Sequence, residues 1–314
     1  MTLRHAKPQD LNLIRHALRH VHPHLIHTIE RSDTMPESHL FRIIDKSGDA
    51  HQFYLVPLQE KHCLDLGIRC WQSVYEQLAP VPEPVRNVTV ESGADGRHVY
   101  IRTPFRKYYS FAEAKKRMTQ EQRFCLAVDL CNTLYWLHRQ PLDMNCRTAE
   151  AEPFVHEQLL WQMCDRHRTL RSSVNKLMRI ADTAEPKYLS GSETPVFSRH
   201  AADNLTVDLH HVLYFMHPPY ICKGDPWLDL ARHLLVINGK RPLLRELIIN
   251  TYFNLTPPIA FFNTLFLVEL EKICLKWKKR SAGEPTMTNT ILEFAAQYDA
   301  PSPIPVWYTQ PVPD

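Results

Sequence analysis

Asn204 offers a side-chain amide oxygen that could ligate a divalent cation. It sits in a polar stretch, Phe197-Ser198-Arg199-His200-Ala201-Ala202-Asp203-Asn204-Leu205-Thr206-Val207-Asp208. Metal-assisted phosphoryl transfer pairs such an Asn with a base, an Asp five residues earlier, and with a second metal-binding Asp further on. Here Arg199 stands five residues before Asn204, and His217 stands thirteen residues after it. Arg stays protonated at any working pH and is no general base. Mg²⁺ takes oxygen ligands in near-octahedral geometry, so the imidazole of His217 is a poor stand-in for a carboxylate. The charge at the base position has changed sign, and ordinary Mg-dependent transfer is not expected.

Other reactive groups are weaker signals. His200 or Asp203 could replace the missing base only if geometry brought one of them to a substrate, and polar loop residues are the simpler reading. His200, His210, His211 and His217 could hold a transition metal, with Asn204 and His217 nearest to a metal position. However, His210-His211 is expected at a hairpin turn, where solvated polar residues belong. His16, His20, His22, His24 and His27 form the densest His cluster, with His16 and His20 on one i,i+4 face. No Cys or carboxylate stands at matching spacing, so this reads as a solvated basic face. Lys276-Trp277-Lys278-Lys279-Arg280, like Arg102, Arg106 and Lys107, could touch an anionic surface. Its position after Leu265–Leu275 makes it the basic last turn of an amphipathic helix.

The elements that must position these groups can be read from periodicity and turn residues. A helix is expected over residues 8–29, with Pro23 kinking or ending it. Two strands, His39–Asp45 and Gln52–Leu58, flank Lys46-Ser47-Gly48-Asp49-Ala50 as a hairpin. A helix follows over Lys61–Leu78 and stops before Pro80, Pro82 and Pro84. Val85–Glu91 and His98–Thr103 form a second hairpin around Gly93-Ala94-Asp95-Gly96. Thr119–Leu137 is an amphipathic helix with stripe Leu126, Leu130, Leu134 and Leu137, and Thr119 with Gln122 makes a capping box. Further helices are expected at Pro153–Leu177, Trp227–Ile237, Pro242–Phe253 and Pro258–Lys279. The Pro-rich tail, with Trp307 and Tyr308, reads as extended; it could dock a partner or lie across its own body.

Composition narrows the class. The chain has 314 residues, 44% hydrophobic and 23% charged, which suits a globular protein with a large core. No apolar run approaches the roughly 20 residues of a membrane span, and the N-terminus has no apolar signal region. A net charge of +3 does not demand nucleic acid. The eight Cys residues show no CxxC pair and no zinc spacing; Cys125 and Cys131 read as small core residues, and a reduced, cytoplasmic protein is expected. Only 8 residues are Gly, against a usual share of about 7%, and phosphate-cradling loops need Gly for close approach.

The stretch 118–138, ending in Leu137-His138, and above all Gly224-Asp225-Pro226-Trp227-Leu228-Asp229-Leu230-Ala231 resemble the aminoglycoside phosphotransferase and choline-kinase-like family. The latter stretch is similar to that family's Gly-Asp-Pro-x-x-Asp-Leu-Ala. The resemblance implies a bilobal α+β protein-kinase-like fold with a small β-rich N-lobe and a larger helical C-lobe. The N-lobe would take residues 1–104, the C-lobe 105–299, and the extended tail 300–314. It also implies that Asp225 caps the helix at Trp227 and that Asp229 ties the catalytic loop down, while Asn204 is either a nucleotide-metal residue or structural.

The family's other functional positions are altered. The phosphate loop would be Asp33-Thr34-Met35-Pro36-Glu37-Ser38, which has no Gly and carries Glu37 where phosphate would sit. The phosphate-binding cation should lie in Phe53-Tyr54-Leu55-Val56-Pro57-Leu58, which has none. Its Glu partner falls at Cys70 or Trp71, with Asp65 and Glu76 off register. These losses point to a pseudokinase, a regulatory or scaffolding protein that binds a protein partner and expects neither ATP nor a metal. The alternative is an atypical small-molecule kinase that uses ATP and Mg²⁺ through Asn204 with His200, Asp203 or Asp208. A small molecule held in the interlobe cleft without turnover is a third reading.

Overall fold

The structure, a computed structural model, describes residues 3–5, 8–17, 28–32, 39–44, 48–77, 88, 90–104, 109–110, 114, 116–141, 157–184, 193–197, 205–207, 213–215, 221–237, 242–279 and 285–309. The chain divides into two compact units, Met1–Ala149 with Pro195–Lys223, and Glu150–Thr194 with Gly224–Asp314.

The first unit opens with β1 (Leu3–His5), α1 (Pro8–Ala17), β2 (Thr28–Ser32), β3 (His39–Ile44) and β4 (Ala50–Pro57), followed by α2 (Lys61–Gln77), β5 (Val90–Ser92) and β6 (His98–Pro104). The strands form an antiparallel six-stranded sheet in the order β1-β2-β3-β4-β6-β5. Both expected hairpins are present, the second with its first strand at Val90–Ser92 where Val85–Glu91 is expected; residues 85–87 and 89 lie outside the described residues. β3 and β4 pair with Ile44 opposite Ala50, and Gly48 supplies a φ of +89° beside the turn. In the β5–β6 turn Gly93 is required by close approach, since a Cβ there would lie 2.9 Å from the carbonyl of His98. Tyr54 and Val56 of β4 meet Val99 and Ile101 of β6, and pack against Leu64 and Ile68 of α2.

The expected helix over 8–29 needs correction. Helix α1 is described to Ala17, and Thr28-Ile29 already belong to β2, paired with Ile44 and Ile43. Two β-branched residues in sequence suit a strand better than a helix end. Residues 18–27, with His20, His22, His24 and His27, lie outside the described residues; His16 is exposed and its Nδ1 meets the Asn12 carbonyl at 2.8 Å.

β7 (Tyr109–Ser110) comes before α3 (Gln120–Leu137). The α3 capping box is present on both arms. The Gln122 N–H donates to Thr119 Oγ1 at 3.2 Å, and the Thr119 N–H donates to Gln122 Oε1 at 2.8 Å. Leu126, Leu130, Leu134 and Leu137 are all buried, as the stripe requires. Helix α3 packs on α2, and Ser73 Oγ donates to Gln140 Oε1 at 3.0 Å. Helix α3 therefore groups with the sheet, whereas the sequence reading puts the lobe boundary at residue 104. Cys131 is buried and its thiol is pushed up to about 12 by that burial, but Cys125 is exposed, against the expectation of a core position.

The second unit begins with α4 (Glu157–Arg166) and α5 (Arg171–Ala184), where one helix is expected across Pro153–Leu177. His167 breaks it with an extended backbone, φ −134° and ψ 88°, and a short 3₁₀ turn at Arg168–Leu170 follows. The apolar spacing alone does not call for the break, because buried Met163 and Leu170 are seven residues apart (170 − 163), close to the roughly 7.2 of two helical turns. Resetting the helix lets Leu160 and Met163 share a core with Val174 and Leu177.

Four further strands, β8 (Thr194–Phe197), β9 (Leu205–Val207), β10 (Leu213–Phe215) and β11 (Ile221–Gly224), lead into α6 (Pro226–Ile237). Then come α7 (Pro242–Tyr252), α8 (Ile259–Lys279), α9 (Pro285–Ala296) and the short α10 (Val306–Thr309). Helix α8 is buried without interruption from Phe261 to Glu271, because α5, α6 and α9 all pack on it. Lys276–Lys279 of the basic run fall in its last turn, as expected, while Arg280 lies outside the described residues; Trp277 is buried against the ring of His167.

The tail is not simply extended. Val306–Thr309 form a helical turn, Tyr308 packs on Phe262 at 4.7 Å, and its hydroxyl donates to Asn250 Oδ1 at 2.7 Å. Of the two sequence readings, the described part of the tail lies on its own unit. Among the described residues no helix is long and apolar enough to cross a membrane.

Candidate functional site

Asp225 stands where β11 passes into α6. Its Oδ1 accepts the backbone N–H of Trp227 at 2.9 Å and that of Leu228 at 3.1 Å. Pro226, at the first helical position, has no N–H to satisfy. Asp225 thus has the capping role that the sequence assigns to it. Asp229 is 4% exposed, and its Oδ1 lies 3.1 Å from Nδ1 of His233, which also meets the Asp229 carbonyl at 2.9 Å. The tie from Asp229 to the catalytic loop falls on residues outside the description.

Arg199, His200, Asp203, Asn204, Asp208 and His217 also lie outside the described residues, as does the phosphate-loop stretch 33–38. The strands around them are described. β9 and β10 pair antiparallel with Leu205 opposite Phe215 and Val207 opposite Leu213, and β7 pairs with the other edge of β9. This is the hairpin expected around His210-His211. Asn204 precedes Leu205 in sequence, and His217 is the second residue after Phe215.

The strand expected to carry a phosphate-binding cation is β4. Phe53, Tyr54, Leu55 and Val56 are each at most 3% exposed, so this window is core. Cys70 of α2 is buried as well, while Asp65 is half-buried and Glu76 exposed. The sheet does carry a cation on the neighbouring strand. Register sets Arg102 of β6 opposite Phe53, with its guanidinium carbon 5.9 Å from the ring centroid and Nη2 3.2 Å from His51 Nε2. Sequence reasoning missed this grouping, because the only signal for it is the pairing of strands 49 residues apart (102 − 53).

A buried polar group in the second unit was also missed. Arg245 of α7 pairs through Nη1 with Glu269 Oε1 of α8, and Tyr298 donates its hydroxyl to Glu269 Oε2 at 2.9 Å. The three residues are 3%, 7% and 0% exposed. Burial, and then the Glu269 carboxylate, push the Tyr298 hydroxyl well above the ordinary tyrosine range. Among the described residues no three His, Cys, Asp or Glu side chains stand close enough to hold a metal ion.

No protein-family model and no curated protein matches the sequence. Solved structures do. The chain is similar to a spectinomycin phosphotransferase solved with ADP and spectinomycin, at 11% identity over 96% of each chain, with a TM-score of 0.53. It is similar to a choline/ethanolamine kinase family protein from Mesorhizobium loti, at 13% identity over 91% of this chain and 93% of that one, with a TM-score of 0.50. A GDP complex of aminoglycoside 2'-phosphotransferase-IIIa gives 12% identity, 91% and 96% coverage, and a TM-score of 0.50. At such identities the likeness shows the fold: an α+β protein-kinase-like fold of the kind these small-molecule phosphotransferases carry.

Proposed function

We propose that this chain is a pseudokinase, a phosphotransferase fold that acts as a regulatory or scaffolding binding protein without Mg-dependent phosphoryl transfer. The observation that carries the reading is the pair Arg199 and His217 at the base and metal positions. Their register is anchored on one side by Asn204, which adjoins β9, and on the other by the cap at Asp225. A guanidinium cannot accept the substrate proton, and imidazole is a poor Mg²⁺ ligand. The buried run Phe53–Val56 of β4 supports the same reading, since it holds no cation for the phosphates. On this reading ATP and metal have no part in function, and the partner is a protein in a reducing, cytoplasmic setting, which suits the buried Cys residues.

A second reading is favoured by the retained Asn204 and by Arg102 above Phe53. In this reading the chain is an atypical small-molecule kinase that binds ATP and Mg²⁺ through Asn204, with His200 or Asp203 taking the proton. Calorimetry with ATP, with and without Mg²⁺ or Mn²⁺, separates the two. Absence of heat at millimolar nucleotide is expected for the pseudokinase. Metal-dependent binding that disappears in Asn204→Ala would replace it with the kinase reading.

A further inference from the structure

The passage from α4 to α5 concentrates positive charge on the surface of the second unit. Arg166, Arg168 and Arg171 are all exposed there, against one exposed carboxylate, Asp165. Arg179 continues the exposed side of α5 about two turns further on, and the next acid is Asp182. Among the described residues, none of these guanidiniums is in an ion pair with a carboxylate.

Helix electrostatics accounts for only part of this. Arg166 ends α4, where a cation suits the dipole. Arg168 and Arg171 instead stand at the start of α5, beside its positive end, and no acidic residue occupies the first turn. These cations repel one another and the helix terminus together. Tertiary packing adds to the charge, because the ring of His167 meets that of Trp277 at 6.1 Å and sets the chain at exposed Lys276 beside the break.

An aromatic side chain stands next to the cations. Trp161 of α4 is 42% exposed, and it is the one large apolar side chain exposed in the described parts of α4 and α5. Arg and Trp are the residue types that dominate protein–protein hot spots, and the guanidinium fork takes a carboxylate through two hydrogen bonds. Asp165 and Asp182 would meet the phosphates of a nucleic acid laid along the same side. A single indole gives a membrane little apolar surface to bury, since interfacial helices bury a whole apolar face. An acidic stretch of protein answers both the charge and the Trp.

We propose that this surface docks an acidic segment of a partner protein, with its carboxylates on Arg166, Arg168 and Arg171 and an apolar residue against Trp161. The surface lies wholly in the second unit. It goes further than the pseudokinase reading and stands or falls separately from it, because no nucleotide or Asn204 is involved.

Titration of the full chain with polyglutamate at physiological ionic strength, where screening acts over about 8 Å, tests this. Saturable binding is expected, weakened about tenfold or more in Arg168→Glu and in Arg171→Glu, and also weakened in Trp161→Ala. Arg97→Glu makes the same change of net charge on an exposed residue of the first unit and should leave binding within about twofold. Arg171→Glu also places a carboxylate at the start of α5, so its melting temperature should rise while its binding falls. A purely structural arginine would not show that pairing. No saturation by about 1 mM polyglutamate overturns the proposal. An equal loss in Arg97→Glu overturns it too, because net charge alone would then be the cause. Tighter binding to phosphatidylserine vesicles or to polyuridylate, lost in the same variants, would replace the acidic protein with a membrane surface or an RNA.

Discussion

Asp225 accepts the backbone N–H of Leu228 at 3.1 Å with the same Oδ1 that takes Trp227 at 2.9 Å, so the carboxylate of the Gly-Asp-Pro motif serves as a helix cap. Asp225→Ala is expected to lower stability by about 1 kcal/mol, whereas Asp225→Asn or Asp225→Ser keeps most of it. Urea denaturation of the three variants measures this. Equal losses in all three would show that the carboxylate's charge, and not its capping oxygen, is what the fold uses.

The Arg245–Glu269–Tyr298 group sets a larger stake. Glu269→Gln leaves the Arg245 guanidinium buried without a counter-charge and should cost about 3–5 kcal/mol. Tyr298→Phe leaves Glu269 Oε2 short of its donor and should cost about 1–3 kcal/mol. Because they share a partner, the double variant should lose less than the sum. Chemical denaturation of all three gives the coupling, and strict additivity would contradict the network.

Tyr298 also makes the fold sensitive to alkali. Its folded pKa is raised, so the unfolded chain gives up this proton first. The contribution is complete below the ordinary value of about 10 and is lost as pH rises toward the folded value. Thermal unfolding from pH 8 upward should fall more steeply for the wild type than for Tyr298→Phe, and parallel curves would refute the assignment.

Acid acts on Asp95. Burial pulls its pKa up, but the Arg97 backbone N–H, the His98 ring and the His98 backbone N–H outweigh it and hold the carboxyl below its ordinary 3.8. A depressed folded pKa means that the stability it provides is present above that ordinary value and is lost as pH falls through the folded one. Asp95→Asn should therefore reduce the loss of stability on going from pH 5 to pH 2. An unchanged acid limb in the variant would show that Asp95 is not the group titrating there.

Asn254 and Leu255 follow α7 with φ of +50° and +66°, a conformation that costs a non-Gly residue about 1–2 kcal/mol. The Leu255 N–H donates to the Asn250 carbonyl at 2.7 Å, which closes the helix end, and the side chain is 75% exposed. Leu255→Gly should keep that bond, lose little packing and raise stability by roughly 1 kcal/mol. A drop in stability instead would mean that the exposed side chain has a packing role.

The sequence by itself determined what is local. The two hairpins, the Thr119–Gln122 capping box, the leucine stripe of α3 and the cap at Asp225 each rest on residues within a few positions of one another, so spacing alone reveals them. The proposed replacement of two carboxylates by Arg199 and His217 also rests on sequence alone, because residue identity settles what can take a proton. The tertiary structure decided what depends on distant pairing. Arg102 reaches Phe53 only through the register of β4 and β6, and the Arg245–Glu269–Tyr298 group joins two helices and the chain beyond a third. The break at His167 carries no Pro or Gly, and it lets α4 and α5 share one core. Cys125 and Cys131 look alike in sequence, yet only packing separates the exposed thiol from the buried one. Such contacts form only when the chain closes loops of tens of residues, and no short window of sequence contains both ends of them.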